Sequence, residues 1–186
     1  MSVKLDAAQI EQAEKVLSHI SGGVGKAASR AINRAVEASR AAAVTKIRED
    51  YHVAASTVRD TMTIRRASPT NLFAMVKSSG KRMSLTAFRV RSAEPLKGGR
   101  RAIVKVAIKK TGYKPLRHAF VVKLKNSVGV FERTTKKRFP IKKLMGPAVP
   151  QMLGTDKVSS YVESRAQETL TKRFEHEVDR MLSGGK

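Results

Sequence analysis

The spacing of apolar residues changes twice along this chain: near its start they recur every three to four residues, through its middle every two, and near its end every three to four again. Helices and strands demand those different periods, so the order restricts the fold to helices at both ends and strands between them. Ile10, Ala13, Leu17 and Ile20 fall on one side of a short amphipathic helix predicted over 6–20, with Glu11, Glu14 and Lys15 on the other. Ser21-Gly22-Gly23 ends it, because glycine gives up the most backbone freedom in a helix. A longer, alanine-rich helix free of proline is predicted over 24–50, with Ala28, Ile32, Ala35 and Val36 on one face. Lys26, Arg30 and Arg34 recur every four residues and form a basic stripe roughly opposite. That stripe fits the solvated side of a helix packed on its own domain, or a helix that also meets a partner or nucleic acid. A further short helix is expected within 52–62.

From about Thr63 the alternation is that of half-buried strands. Leu72, Ala74 and Val76 alternate with Phe73 and Met75, and Phe88 and Val90 with Arg89 and Arg91. Val104, Val106 and Ile108 alternate with Lys105, Ala107 and Lys109, and Phe120, Val122 and Leu124 with Val121, Lys123 and Lys125. Val128–Arg133 and Ile141–Leu144 read as two more strands, with a basic loop over 134–138 between them, and residues 94–100 as a turn or longer loop. Gly146-Pro147-Ala148-Val149-Pro150 is expected to be extended rather than helical. Val158, Tyr161, Val162, Leu170, Phe174, Val178 and Met181 then predict a final helix over 156–182. The expected fold class is α+β in one domain over 1–186: N-terminal helices (1–61), a central antiparallel β-sheet or open barrel of about five or six strands (62–153), and a C-terminal helix (154–186). Apolar residues make up 41% of the chain, enough for a core, but aromatics only 5%, so aliphatic side chains must fill it.

Charge follows the same division. Residues 1–60 hold 9 Lys/Arg against 7 Asp/Glu, and residues 156–186 hold 6 of each. Residues 61–155 hold 23 Lys/Arg against only Glu94 and Glu132, so nearly all of the net charge of +23 sits on the predicted strands. Such a concentration calls for a polyanion or an acidic protein neighbour. Arg89, Arg91, Lys105, Lys109, Lys123 and Lys125 are the residues whose alternation puts them on one sheet face, turned to DNA or to an acidic partner. No zinc-finger spacing and no aromatic strand signature of an RNA reader accompanies them, and Tyr51, Tyr113 and Tyr161 lie far apart in sequence. Contact with nucleic acid is therefore expected to be non-specific.

Enzymatic chemistry finds little to work with. Cysteine is absent, which removes disulfides, thiolates and cysteine-based metal sites. His19, His52, His118 and His176 show no metal-binding spacing. Gly25-Lys26 and Gly80-Lys81 lack both the upstream glycine and the following hydroxyl of a phosphate-binding loop. No serine sits in a nucleophile-elbow motif, and Glu94 and Glu132 do not form a catalytic pair. No catalytic residue, cofactor or metal is expected. No stretch approaches the ~20 apolar residues of a membrane-spanning helix, and the polar start MSVKLDAAQIEQAEK lacks a signal-peptide pattern.

Several segments, in order, resemble the phage minor tail protein Z family. Ala28-Ser29-Arg30-Ala31-Ile32-Asn33-Arg34 is similar to its A-x-x-A-I-N-R helix, and Tyr51-His52-Val53 to Val58-Arg59 follows as in that family. His118-Ala119-Phe120, then Gly129-Val130-Phe131-Glu132-Arg133, then Pro140-Ile141 and Leu144-Met145-Gly146-Pro147-Ala148-Val149-Pro150 complete the series. The resemblance spans about residues 20–152 and brings no catalytic or cofactor residue with it. It implies a virion structural protein that completes the tail and joins it to the head connector, as a ring around the DNA path. Its partners would be other tail and connector proteins and further copies of itself. The competing reading is a basic, non-specific DNA-binding protein.

Overall fold

A computed structural model describes residues 7–20, 22–91, 103–124 and 127–184; the expected turn or longer loop at 94–100 and Lys125 lie outside the described residues. The first helix, α1 (Ala7–Val16), is shorter than the 6–20 expected: beyond it the chain tightens into turns, with Ile20 N–H donating to Leu17 O at 2.9 Å. Gly22 then reverses the chain at φ +64°, a conformation that glycine alone adopts without strain.

Two long helices organise the molecule. α2 (Gly23–Asp50) runs antiparallel to α5 (Asp156–Leu182), its N-terminal half against the C-terminal half of α5 and the reverse. Alanine decides how closely they approach. Ala27, Ala28, Ala31 and Ala35 are buried beneath Leu170 and Phe174, and Ala31 has no exposed surface at all. Small side chains on one helix leave room for the Phe174 ring from the other. Ala13 of α1 joins the same cluster. Towards the other end, Ala43, Val44 and Ile47 meet Val158 and Val162, and Tyr51, Met62, Phe88, Val149 and Met152 close around them. Among them is Val58 of α3 (Ala55–Asp60), the short helix expected within 52–62. This second cluster draws on the first, middle and last parts of the chain alike.

The α+β class with helices at both ends holds, but the strands are arranged differently from expectation. They form three small antiparallel sheets rather than one sheet or barrel. β1 (Met62–Arg65) pairs with β2 (Met75–Ser78). β3 (Arg89–Arg91), β4 (Val104–Ala107) and β5 (Lys114–Leu116) make the second sheet in that order, and β6 (Ala119–Leu124), β7 (Ser127–Arg133) and β8 (Ile141–Lys143) the third. One reason lies in β5. Pro115 has no N–H to give to a further neighbour, so the second sheet ends there. The second and third sheets share one cluster, in which Val104, Val106 and Leu85 meet Val130, with Val90, Leu116, Ala119 and Val121 packed around them.

Two local expectations need correction. Leu72, Ala74 and Val76 were expected to alternate along a half-buried strand, yet β2 begins only at Met75, and Leu72 and Phe73 stand exposed in the preceding loop. Val149 and Pro150, expected to be extended, open a short helix, α4 (Val149–Leu153). Proline is tolerated in a first helical turn, where its missing N–H would have no partner anyway. Gln151 Oε1 accepts from Ala148 N–H at 2.9 Å and fixes that start. Among the described residues, no helix is long and apolar enough to cross a membrane.

Candidate functional site

The pairing of β3 with β4 brings sequence-distant cations together. Arg91 stands directly across from Lys105, and Arg89 across from Ala107, so Arg89, Arg91 and Lys105 share one face of the sheet. Their neighbours Val90, Val104 and Val106 point the other way, into the cluster shared with the third sheet. Two like charges opposite one another repel, and that cost needs an offset. Aromatic rings supply part of it: the Arg91 guanidinium lies over Tyr113 at 4.2 Å, and Lys109 lies over Tyr51 at 5.7 Å. Lys109 is placed by an isolated bridge to Tyr51 at the end of α2, beside His52 N–H donating to Ile108 O at 2.9 Å.

Among the described residues, no ion pair involves Arg89, Arg91, Lys105, Lys109 or Lys110. Asp50 is turned to Lys157 at 2.9 Å, while its backbone oxygen accepts from Lys110 N–H. The imidazole of His52 registers this environment. Burial holds its pKa below the usual range, and the positive charges of Arg89 and Lys110 add to the effect. A surface of this kind keeps its Coulombic repulsion until an anion arrives.

Lys123 belongs elsewhere. It lies on β6 in the third sheet, on the face that carries Val121 into the shared cluster, and emerges into solvent beyond it. Arg89, Arg91 and Lys105 thus form one patch with Lys109 at its end, Lys123 is on a separate sheet, and Lys125 is not described. Lys110 and the two tyrosine rings were missed as members of the patch. Their signal is the Tyr51–Lys109 bridge, a pairing across some sixty residues that local periodicity does not carry.

The basic stripe of α2 is largely engaged within the chain. Arg30 reaches Glu177 of α5 at 3.3 Å, its side chain 53% exposed and that of Glu177 only 10%. Arg34 pairs with Glu37 at 3.5 Å, one turn along its own helix. Lys26 is exposed. Pairs as open as Arg34–Glu37 contribute at most about 1 kcal/mol.

A second face of α2 holds the loop between β1 and β2. Asn33 Nδ2 donates to Ala67 O at 3.0 Å and Asn33 Oδ1 accepts from Ala67 N–H at 2.8 Å, so one side chain imitates a strand neighbour. Arg66 pairs with Glu37, one turn further on. At Gly25 the loop comes so close that a Cβ would lie 2.8 Å from Pro69 O. Gly25, Asn33 and Glu37 are spaced by multiples of four and lie along one side of the helix. The loop they hold displays Leu72 and Phe73, the latter 54% exposed.

Comparison with known proteins agrees with this reading of the sequence. The model of the family described as prophage minor tail protein Z matches residues 8–183. No curated protein and no solved structure matches the chain.

Proposed function

This chain belongs to the prophage minor tail protein Z family, and on that footing we propose that it completes the phage tail and joins it to the head connector, as a ring of identical subunits around the DNA path. A structural role in the tail, and a place in the virion among other virion proteins, follow from the family itself. The finer reading rests on one observation, the patch of Arg89, Arg91, Lys105 and Lys109, which no carboxylate among the described residues neutralises. In a ring, that patch faces the channel and the phosphates passing through it. The two ends of the chain are nearly balanced in charge, which suits contact between copies, because strongly basic surfaces repel one another. Contacts between subunits fall to α2 and α5, with Lys26 and the open sides of Arg30 and Arg34 at the edge. The role is structural rather than catalytic, within one domain, and needs no cofactor.

The test is an assembly experiment. Phage carrying Arg89→Glu, Arg91→Glu and Lys105→Glu are expected to make heads and tails but to lose infectious titre. Three lost contacts of about 1 kcal/mol each amount to roughly a hundredfold. An unchanged titre would rule out a working role for this patch. If the protein is absent from particles yet binds DNA in solution with a steep salt dependence, the reading as a non-specific DNA-binding protein takes its place.

A further inference from the structure

The turn between β7 and β8 carries a second basic cluster, separate from the patch on β3 and β4. Its base is closed by Thr134, whose N–H and Oγ1 both donate to Pro140 O, at 3.3 and 3.1 Å. Beyond that closure stand Lys136, Lys137, Arg138 and Phe139, all exposed. Arg133, Lys142 and Lys143 flank them on the strands, and Glu132, across from Lys142, is the only acid nearby in the hairpin. No ion pair among the described residues involves any of these six cations. Phe139 is 61% exposed, the most exposed large apolar side chain among the described residues, and the Arg138 guanidinium lies over its ring at 5.7 Å.

Lys136, Lys137 and Arg138 stand exposed in succession on the bend. An acidic protein surface would have to place a carboxylate against each of them, whereas duplex DNA offers a regular run of phosphates on both walls of each groove. The exposed ring fits the same partner, since deoxyribose carbons lie beside the phosphates and apolar side chains that enter a groove wedge against the base steps. We propose that the β7–β8 hairpin is a duplex-DNA contact in which Lys136, Lys137 and Arg138 take phosphates and Phe139 packs against the sugar and base edges between them. The contact is a property of the isolated chain and does not depend on where in the tail the protein sits.

The experiment measures binding of the purified full chain to a fluorescently labelled, mixed-sequence duplex by anisotropy across a series of salt concentrations. Replacing Lys136, Lys137 and Arg138 by Ala should make the slope of log affinity against log salt shallower by about 2.7, at roughly 0.9 per phosphate contact. A control with Arg48, Arg59 and Arg65 replaced by Ala removes the same charge from exposed sites on other elements, and should change the slope less than half as much. Phe139→Ala removes no charge, so it should weaken binding several-fold at an unchanged slope. Thermal melts of each variant, expected close to that of the parent, separate loss of contact from loss of fold. Equal slopes for the hairpin and control triples would overturn the proposal. So would full affinity in Phe139→Ala, or loss of poly-glutamate binding in the hairpin triple while duplex binding is untouched. A failure of the tail-joining role would leave every one of these outcomes unaltered.

Discussion

Phe174→Ala is expected to destabilise the protein by about 3–5 kcal/mol. The ring is 2% exposed and heads the fully buried side chains in volume. Its neighbours across the interface are Ala27, Ala28, Ala31 and Ala35, which carry no atoms that could swing in to fill the space it leaves. The loss is therefore both of buried apolar surface and of packing around an unfilled cavity. α1 should loosen with it, because Ala13 sits in the same cluster. In a chain of 186 residues each kcal/mol lowers the melting temperature by roughly 2–4 °C, so a drop of about 10 °C is expected in a thermal melt followed by circular dichroism. Phe174→Leu, which keeps most of the volume, should cost far less. A shift below about 2 °C for the alanine variant would mean that α2 and α5 are not held together through this ring.

Asn33→Ala is expected to release the loop between β1 and β2. The carboxamide meets both polar groups of Ala67, which is itself 9% exposed, so truncation leaves an N–H and a C=O without their partners. Two lost hydrogen bonds at a site poorly reached by water amount to about 2–4 kcal/mol. Asn33→Asp distinguishes the two bonds: it still accepts from Ala67 N–H but sets a carboxylate against Ala67 O, and should fall between the alanine variant and the parent. Amide hydrogen exchange at Ala67 reads the effect directly, with protection falling in Asn33→Ala. Arg66→Ala, which breaks only an exposed pair with Glu37, should change protection little. Retained protection of Ala67 in Asn33→Ala would show that the loop is held by other means.

These two residues also mark how far the sequence could be read. Phe174 was legible, because it falls on the apolar stripe that predicts a helix over 156–182, and α5 spans that range. Asn33 stood out only as part of a family-like motif. Its partner lies 34 residues away in a loop, and no local period reveals such a bond. The same divide runs through the candidate site. An excess of cations over the strands is plain in the sequence, but which of them share a face was decided by register, Arg91 meeting Lys105 while Lys123 went to another sheet. Pro150 misled because a proline in a helix's first turn looks, in sequence, like one that forbids a helix. β5 escaped notice because three residues, one of them proline, are too few to show a period. Leu72 and Phe73 alternate as a strand would, yet the clamp from α2 holds their loop outward.

The proposed position is a ring at the junction of tail and head with the β3–β4 patch turned to the DNA. Electron cryomicroscopy of intact particles containing this protein tests it most directly. A closed ring is expected at the head–tail junction, with Arg89, Lys105 and Lys109 lining the channel and α2 and α5 between neighbouring copies. A ring elsewhere in the tail, or one at the junction with this patch buried against other subunits, would contradict it.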